Sequence, residues 1–287
     1  MMAWGNFCSL PCPAKRWDEN YRSLMLGFLP FIGLIIGIIW SAAYFGLVYA
    51  GFPFFVVAFL ITFLPFALCG FMHMDGFMDC CDAIMSRRPL EQRQLILKDS
   101  STGAFAVVGM IFFVLGYFCF LSTAVTTGVD FANMVMIVVM SRSISGLHVL
   151  ICKPMGQSQY AMLHDAEPPE ETLPEETLPE EEPTEESTTE EDCTELVACD
   201  SVETASKKAS AKSGVILLLV LLAVITALAF WCSSLWLATL IVSAATALGS
   251  LISIQYAKKN LGGMSGDIAG FGIIWGELMG VFALVLC

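Results

Sequence analysis

Seven apolar runs, each long enough to cross a hydrocarbon core of roughly 30 Å, dominate this chain. They cover 25–49, 52–72, 104–125, 131–152, 214–231, 234–255 and 270–286. Backbone placed in lipid must satisfy its own polar groups, so runs of this length fold as helices. The expected fold is all-α: a polytopic transmembrane helical bundle with one crossing per run. Composition agrees, since 56% hydrophobic and only 14% charged residues exclude an ordinary soluble domain. Short connections at 50–51 and 232–233 predict tight helical hairpins. The run at 270–286 is the weakest of the set, because Glu277 interrupts it.

Basic residues set the expected orientation. Of 14 Lys and Arg, 13 fall in the N-terminal tail, 73–103, 153–213 or 256–269. With seven spans these segments share one side, and the positive-inside rule makes that side cytoplasmic. The N-terminus is then inside, the C-terminus outside, and the protein sits in the cytoplasmic (cell inner) membrane. Loops near 50, 126–130 and 232 carry no Lys or Arg. No cleavable signal peptide is expected, since the first apolar run begins only at residue 25 and is too long for one. The 11 cysteines include no CxxC pair and no Cys/His zinc spacing, and read as small apolar fillers.

The net charge of −13 comes from one segment. Residues 165–204 hold 17 acids and no base, whereas the other 10 acids stand against 14 bases. Rich in Glu, Pro and Thr, this segment has no composition for a packed core and is expected to be a disordered cytoplasmic insert. The chain then divides into a transmembrane catalytic region in two parts, 1–164 and 213–287, around an insert at 165–212.

The stretch "HMDGFMDCCD", 73–82, places Asp75, Asp79 and Asp82 at the end of the second run. On a helix the three carboxylates share a stripe about 60° wide. Like charges so placed repel, and a divalent cation is the simplest thing to hold them together. Next comes "SRRPLEQRQLILKDSSTGAF", 86–105. Pro89 suits the first turn of a short amphipathic helix over 90–97. Asp99 or Ser100 is expected to cap the following span, either as capping alone or leaving N–H groups for an anion. Arg87, Arg88, Arg93 and Lys98 read either as positive-inside anchors or as contacts to a metal-bound diphosphate. Arg142 lies inside a span among small residues, where an arginine is costly and needs a partner or a wet cavity. His148, on the same run, reads as a satisfied core histidine. Near the C-terminus, "NLGGMSGDIAGFGIIWGELMG" offers a turn of Gly262, Gly263 and Gly266 that lets backbone N–H groups approach an oxyanion, with Asp267 beside it.

Three of these segments together resemble the cobalamin synthase family, the adenosylcobinamide-GDP ribazoletransferases (cobalamin 5′-phosphate synthases). "GFMHMDGFMDCCDAIMSRR" is similar to the family's His-x-Asp-Gly-x-x-Asp-x-x-Asp signature. "ILKDSSTGAFAV" resembles its Lys/Arg-Asp-Ser-x-x-Gly block, and "LGGMSGDIAGFGIIWGELMG" its Gly-Gly-x-Thr/Ser-Gly-Asp…Gly-Glu-Leu block. The likeness runs from about residue 8 to the end, the acidic insert apart. Ser9 and Ser101 stand where the family usually has Arg.

The resemblance implies a membrane phosphotransferase acting late in cobalamin synthesis. A hydroxyl of α-ribazole, or of its 5′-phosphate, attacks the cobinamide-linked phosphorus of adenosylcobinamide-GDP, and GMP leaves. It implies Mg²⁺ held by Asp75, Asp79 and Asp82, completed by Asp267. Lys98, Asp99, Ser100, Arg142, Gly262, Gly263, Ser265, Gly266 and Glu277 become substrate contacts. His73 or one of the aspartates is the general base. The expected partners are these two substrates and the lipid bilayer, with a homo-oligomer or a complex with other late-pathway enzymes left open, and no nucleic acid. Two alternatives are weighed. A CDP-alcohol phosphatidyltransferase-like enzyme has an Ala-Arg after its first Asp-Gly pair, which "DGFMDCCD" does not. A secondary transporter usually carries its acids at mid-membrane, often with an internal repeat, whereas here the main acid cluster lies at the cytoplasmic edge and no repeat is found.

Overall fold

The computed structural model describes residues 1–12, 18, 21–155 and 190–287, the stretch 190–210 by its backbone alone. Among the described residues the regular elements are all helices, with one isolated bridge between Pro154 and Met264. In chain order the helices are α1 (Met2–Phe7), α2 (Arg22–Gly27), α3 (Leu29–Tyr49), α4 (Phe54–Leu68), α5 (Met72–Met85), α6 (Leu90–Ile96), α7 (Ala104–Thr127), α8 (Phe131–Ile151), α9 (Glu190–Cys232), α10 (Trp236–Leu261) and α11 (Gly266–Leu286). Six segments are long and apolar enough to cross a membrane, and the bent pair α4–α5 makes a seventh if it counts as one span. The all-α, multi-pass bundle expected from the apolar runs is what forms.

Burial orders the bundle. The apolar window of α8 is 78% buried and that of α11 67%, so these two stand at the centre. The crossing part of α9 is 11% buried and α7 22%, so both present apolar side chains outward, as lipid requires. Around α11 pack α10, α5, α8 and α7.

The second span departs from the uninterrupted run expected over 52–72. Helix α4 stops at Leu68, and after Cys69–Phe71 the chain turns by 89° into α5. Gly70 and Phe71 both adopt positive φ, 62° and 60°, which no helix continues through. Two residues, Trp40 and Ser9, support this broken span with hydrogen bonds. Pro65 has no N–H for the carbonyl of Ile61, and Trp40 Nε1 donates to that carbonyl instead at 2.7 Å. At the break the carbonyls of Ala67 and Leu68 lose helical partners. The Ser9 hydroxyl donates to them at 2.8 and 3.0 Å, and the Ser9 amide donates to Leu68 at 2.8 Å. Ser9 thus has a local task where the resembled family usually has Arg.

Residues 165–189 of the acidic insert lie outside the described residues. From Glu190, beyond its last proline at 183, the backbone is helix continuous with the fifth span. The short helix expected over 90–97 is α6, with Pro89 at its N-cap.

Candidate active site

The aspartate stripe folds as helix α5, which crosses the start of α11 at very close range. A Cβ on Gly76 would come 2.7 Å from the Asp267 Cα, and one on Gly270 would come 3.0 Å from the His73 carbonyl oxygen. Only glycine at both positions lets the two backbones meet. The crossing brings His73 and Asp75, in the first turn of α5, beside Gly266 and Asp267, in the first turn of α11. Between them lies a cavity of about 270 Å³ that Asn6, Phe7, Leu26, Leu29, Ser145 and Val149 also line. Asp75 is exposed and Asp267 half-buried, while His73 is buried and its Nε2 has no hydrogen-bond partner. Spacing alone puts His73 on the far side of the stripe. Both residues nonetheless line the cavity, because they stand at the end of the helix rather than along its flank. A larger cavity of about 360 Å³ is walled mostly by Met, Leu, Phe and Trp side chains with Tyr21, and no acidic or basic side chain lines it. The ionisable side chains His73, Asp75 and Asp267 line the smaller one.

Asp79 is half-buried and lies in the field of Asp75, Asp267 and Asp82. Asp82 has another task. Its two carboxylate oxygens accept the backbone N–H groups of Gly103 at 2.6 Å and Ala106 at 3.0 Å, so it caps helix α7 from outside that helix. This corrects the expectation that Asp99 or Ser100 caps this span. Asp99 instead accepts the Ser101 amide at 3.0 Å, a local turn that holds its carboxyl below the usual range. Lys98, Asp99 and Ser100 are exposed, and none of them lines the cavity.

The glycine-rich turn has structural tasks of its own. Gly262, at φ 84°, ends helix α10, its N–H bonded to the Lys258 carbonyl at 2.9 Å. Gly263 packs against the backbone of Met155, and the Met264 amide donates to Lys153 at 3.0 Å. Gly262 and Gly263 thus help fasten two loops together, while Gly266 opens α11. Ser265 caps α11 by accepting the Ile268 amide at 3.3 Å. From this block, Gly266 and Asp267 reach the cavity.

Arg142 and Glu277, both expected to contact substrate, meet each other instead. Arg142 Nη1 lies 2.5 Å from Glu277 Oε1, with side chains 2% and 1% exposed. Arg142 Nη2 also donates to Cys69 Sγ at 3.1 Å, so the pair touches the break in the second span. His148 is satisfied by the Ile144 carbonyl at 2.8 Å, as a core histidine should be. Arg93 donates to the carbonyl and side chain of Asn260, fastening α6 to the end of α10. Ser145 and Asn6 are the polar cavity residues that sequence reasoning passed over. Ser145 reads as a packing residue beside Arg142, and no pattern marks Asn6.

The fit to Mg²⁺ can be judged from the donors. Among the described residues no three His, Cys, Asp or Glu side chains converge enough to hold an ion by themselves. The expected trio of Asp75, Asp79 and Asp82 is therefore not assembled, since Asp82 is engaged at a helix end. Mg²⁺ commonly takes one or two carboxylates and completes its shell with water and substrate phosphate. Asp75 and Asp267, hard oxygen donors on one cavity, suit a site of that shared kind.

Comparison with known proteins follows the same line. The family model for cobalamin-5-phosphate synthase matches residues 1–174 and 195–285. An adenosylcobinamide-GDP ribazoletransferase of Clostridium perfringens (strain SM101 / Type A) is 30% identical over 283 residues, 99% of this chain and 95% of the relative. A protein of the same name from Clostridium botulinum (strain Eklund 17B / Type B) is 43% identical over 111 residues, 39% of this chain and 44% of the relative. One from Lachnoclostridium phytofermentans is 32% identical over 157 residues, 52% and 56% of the two chains. No solved structure matches. With the family pattern running through both parts of the bundle and through the helices that build the cavity, the chain belongs to the cobalamin-5-phosphate synthase family.

Proposed function

We propose that this chain is a membrane phosphotransferase that joins adenosylcobinamide-GDP to α-ribazole, or to its 5′-phosphate, and releases GMP. The observation that carries the reading is the cavity at the α5–α11 crossing, where a histidine and two carboxylates meet the first turn of a long helix. Phosphoryl transfer asks for positioning and charge neutralisation more than for covalent chemistry from the protein. The acceptor oxygen forms a new bond to the cobinamide-linked phosphorus as the bond from that phosphorus to GMP breaks. Asp75 and Asp267 would hold Mg²⁺, which when bound supplies positive charge to the diphosphate. His73 Nε2, buried and without a partner, is placed to receive the acceptor proton. The start of α11 at Gly266 favours phosphate oxygens through its first-turn amides. Arg142 and Glu277 act at a distance, as supports of the break before α5.

Orientation belongs to the same proposal. Helices α3 and α11 begin at the cavity, α8 ends there, and α7 begins at Asp82. The chain therefore leaves the cavity end through α3 and returns to it before α7, which supports counting α4–α5 as a crossing. Seven crossings put the termini on opposite sides, and the basic loops make the cavity side cytoplasmic. A reporter fused after Cys287 should be active only outside the cytoplasm. A cytoplasmic signal there would make α4–α5 re-entrant.

The reaction is tested with purified protein in detergent, both substrates and Mg²⁺, reading cobalamin and GMP by chromatography. Both products should appear together and only when both substrates are present. No turnover by properly inserted protein, over a range of Mg²⁺ concentrations, would sink the reading.

A further inference from the structure

We propose that the cavity takes the acceptor riboside alone, and that Ser145 is a positioning residue for its ribose. This rests on the proposed reaction and goes beyond it by dividing the two substrates between places. Size is the first argument. Small-molecule sites run from about 300 to 1,000 Å³, and this cavity of about 270 Å³ lies just under that range. A corrinoid carrying a nucleoside diphosphate is several times too large. A flat benzimidazole riboside is of the right order. The corrinoid then stays outside, and only its diphosphate reaches the edge of the cavity, where Asp75 and Asp267 stand.

Lining chemistry is the second argument. Phe7, Leu26, Leu29, Val149 and Ile273 give the cavity apolar walls suited to an aromatic base. Its polar members are those a ribose would need.

Ser145 supplies the third. Helix α8 carries three serines in five residues, and two turn back on their own helix. Ser143 donates to the Val139 carbonyl at 2.6 Å and Ser141 to the Val138 carbonyl at 3.1 Å. Ser145 makes no such bond and is 1% exposed. Of the buried side-chain atoms without a partner among the described residues, only Ser145 Oγ and His73 Nε2 belong to residues of this cavity. They come from different helices, α8 and α5. A buried hydroxyl left unpaired is unfavourable, and a ribose hydroxyl would complete it. With Ser145 holding one ribose hydroxyl, the attacking one falls to His73.

The test measures binding and turnover separately. Equilibrium dialysis with labelled α-ribazole is run on wild type, Ser145→Ala and Ser145→Cys. Ser145→Cys keeps the side-chain shape with a somewhat larger, weakly donating atom, and is read alone if the alanine variant inserts poorly. Ser243→Ala removes a buried unpartnered hydroxyl away from the cavity and serves as control. The Ser145 variants should bind α-ribazole about tenfold more weakly. Their KM for α-ribazole should rise in step, while KM for adenosylcobinamide-GDP stays at the wild-type value, as both do in the control. Wild-type affinity in the Ser145 variants overturns the proposal, as does an equal rise in both KM values or no α-ribazole binding by the wild type. Binding that depends on Ser145 without any turnover would instead count against the proposed reaction and leave this site standing.

Discussion

Asp75→Asn and Asp267→Asn should each lower turnover on the order of a hundredfold or more, a loss of several kcal/mol in transition-state stabilisation. Both side chains line the cavity, and Asn keeps their size while removing the charge a metal-bound diphosphate requires. Stability should not suffer, because Asp79 already lies in the field of Asp75, Asp267 and Asp82, and removing one charge relieves repulsion. Asp82→Ala should behave in the opposite way. It deletes the acceptor of two amides at the start of α7, costing about 1 kcal/mol of stability, with little change in the Mg²⁺ concentration for half-maximal rate. The measurement is Mg²⁺ titration of turnover at matched membrane levels, with a melting curve in detergent for each variant. Wild-type rate and Mg²⁺ dependence in both Asn variants would remove the metal from this cavity. A raised Mg²⁺ requirement in Asp82→Ala would return Asp82 to the ligand set.

Arg142→Ala should cost folding rather than binding. It leaves Glu277 as an unpaired charge, 1% exposed, in the middle of the bundle. Breaking a buried pair from one side costs about 3–5 kcal/mol, whereas replacing both partners by apolar residues of similar volume can be neutral. Glu277→Gln should therefore also lower the melting temperature, and Arg142→Met with Glu277→Met should recover much of the loss. Activity in the double variant need not return. Arg142 Nη2 also reaches Cys69 Sγ at the break, and through that contact it bears on how α5 is presented. Expression, melting temperature and KM for each substrate distinguish the cases. An Arg142→Ala protein that inserts and melts like wild type, yet has a raised KM for adenosylcobinamide-GDP, would make Arg142 a substrate contact after all.

The spans were legible from sequence because lipid imposes a local test. A run of sufficient length and apolarity must be helical wherever its neighbours lie. The aspartate stripe was legible for a similar reason, since helical spacing alone gathers Asp75, Asp79 and Asp82. Even Glu277 could be flagged as an anomaly in the last span, although what neutralises it could not. Its partner is 135 residues away.

Length, apolarity and spacing along the chain thus determined the apolar spans and the presence of an acidic edge. Tertiary structure alone decided which polar atom meets which. The amides that Asp82 caps lie 21 and 24 residues on, and the carbonyls that Ser9 satisfies lie 58 and 59 residues on. It also took packing to divide α8 between Arg142, turned to Glu277, and Ser145, on the wall of the cavity. The physical reason is that a side chain's hydrogen-bond partner depends on where helices cross. Here the crossing of α5 and α11 depends on glycines whose role is visible only once two distant backbones have come together.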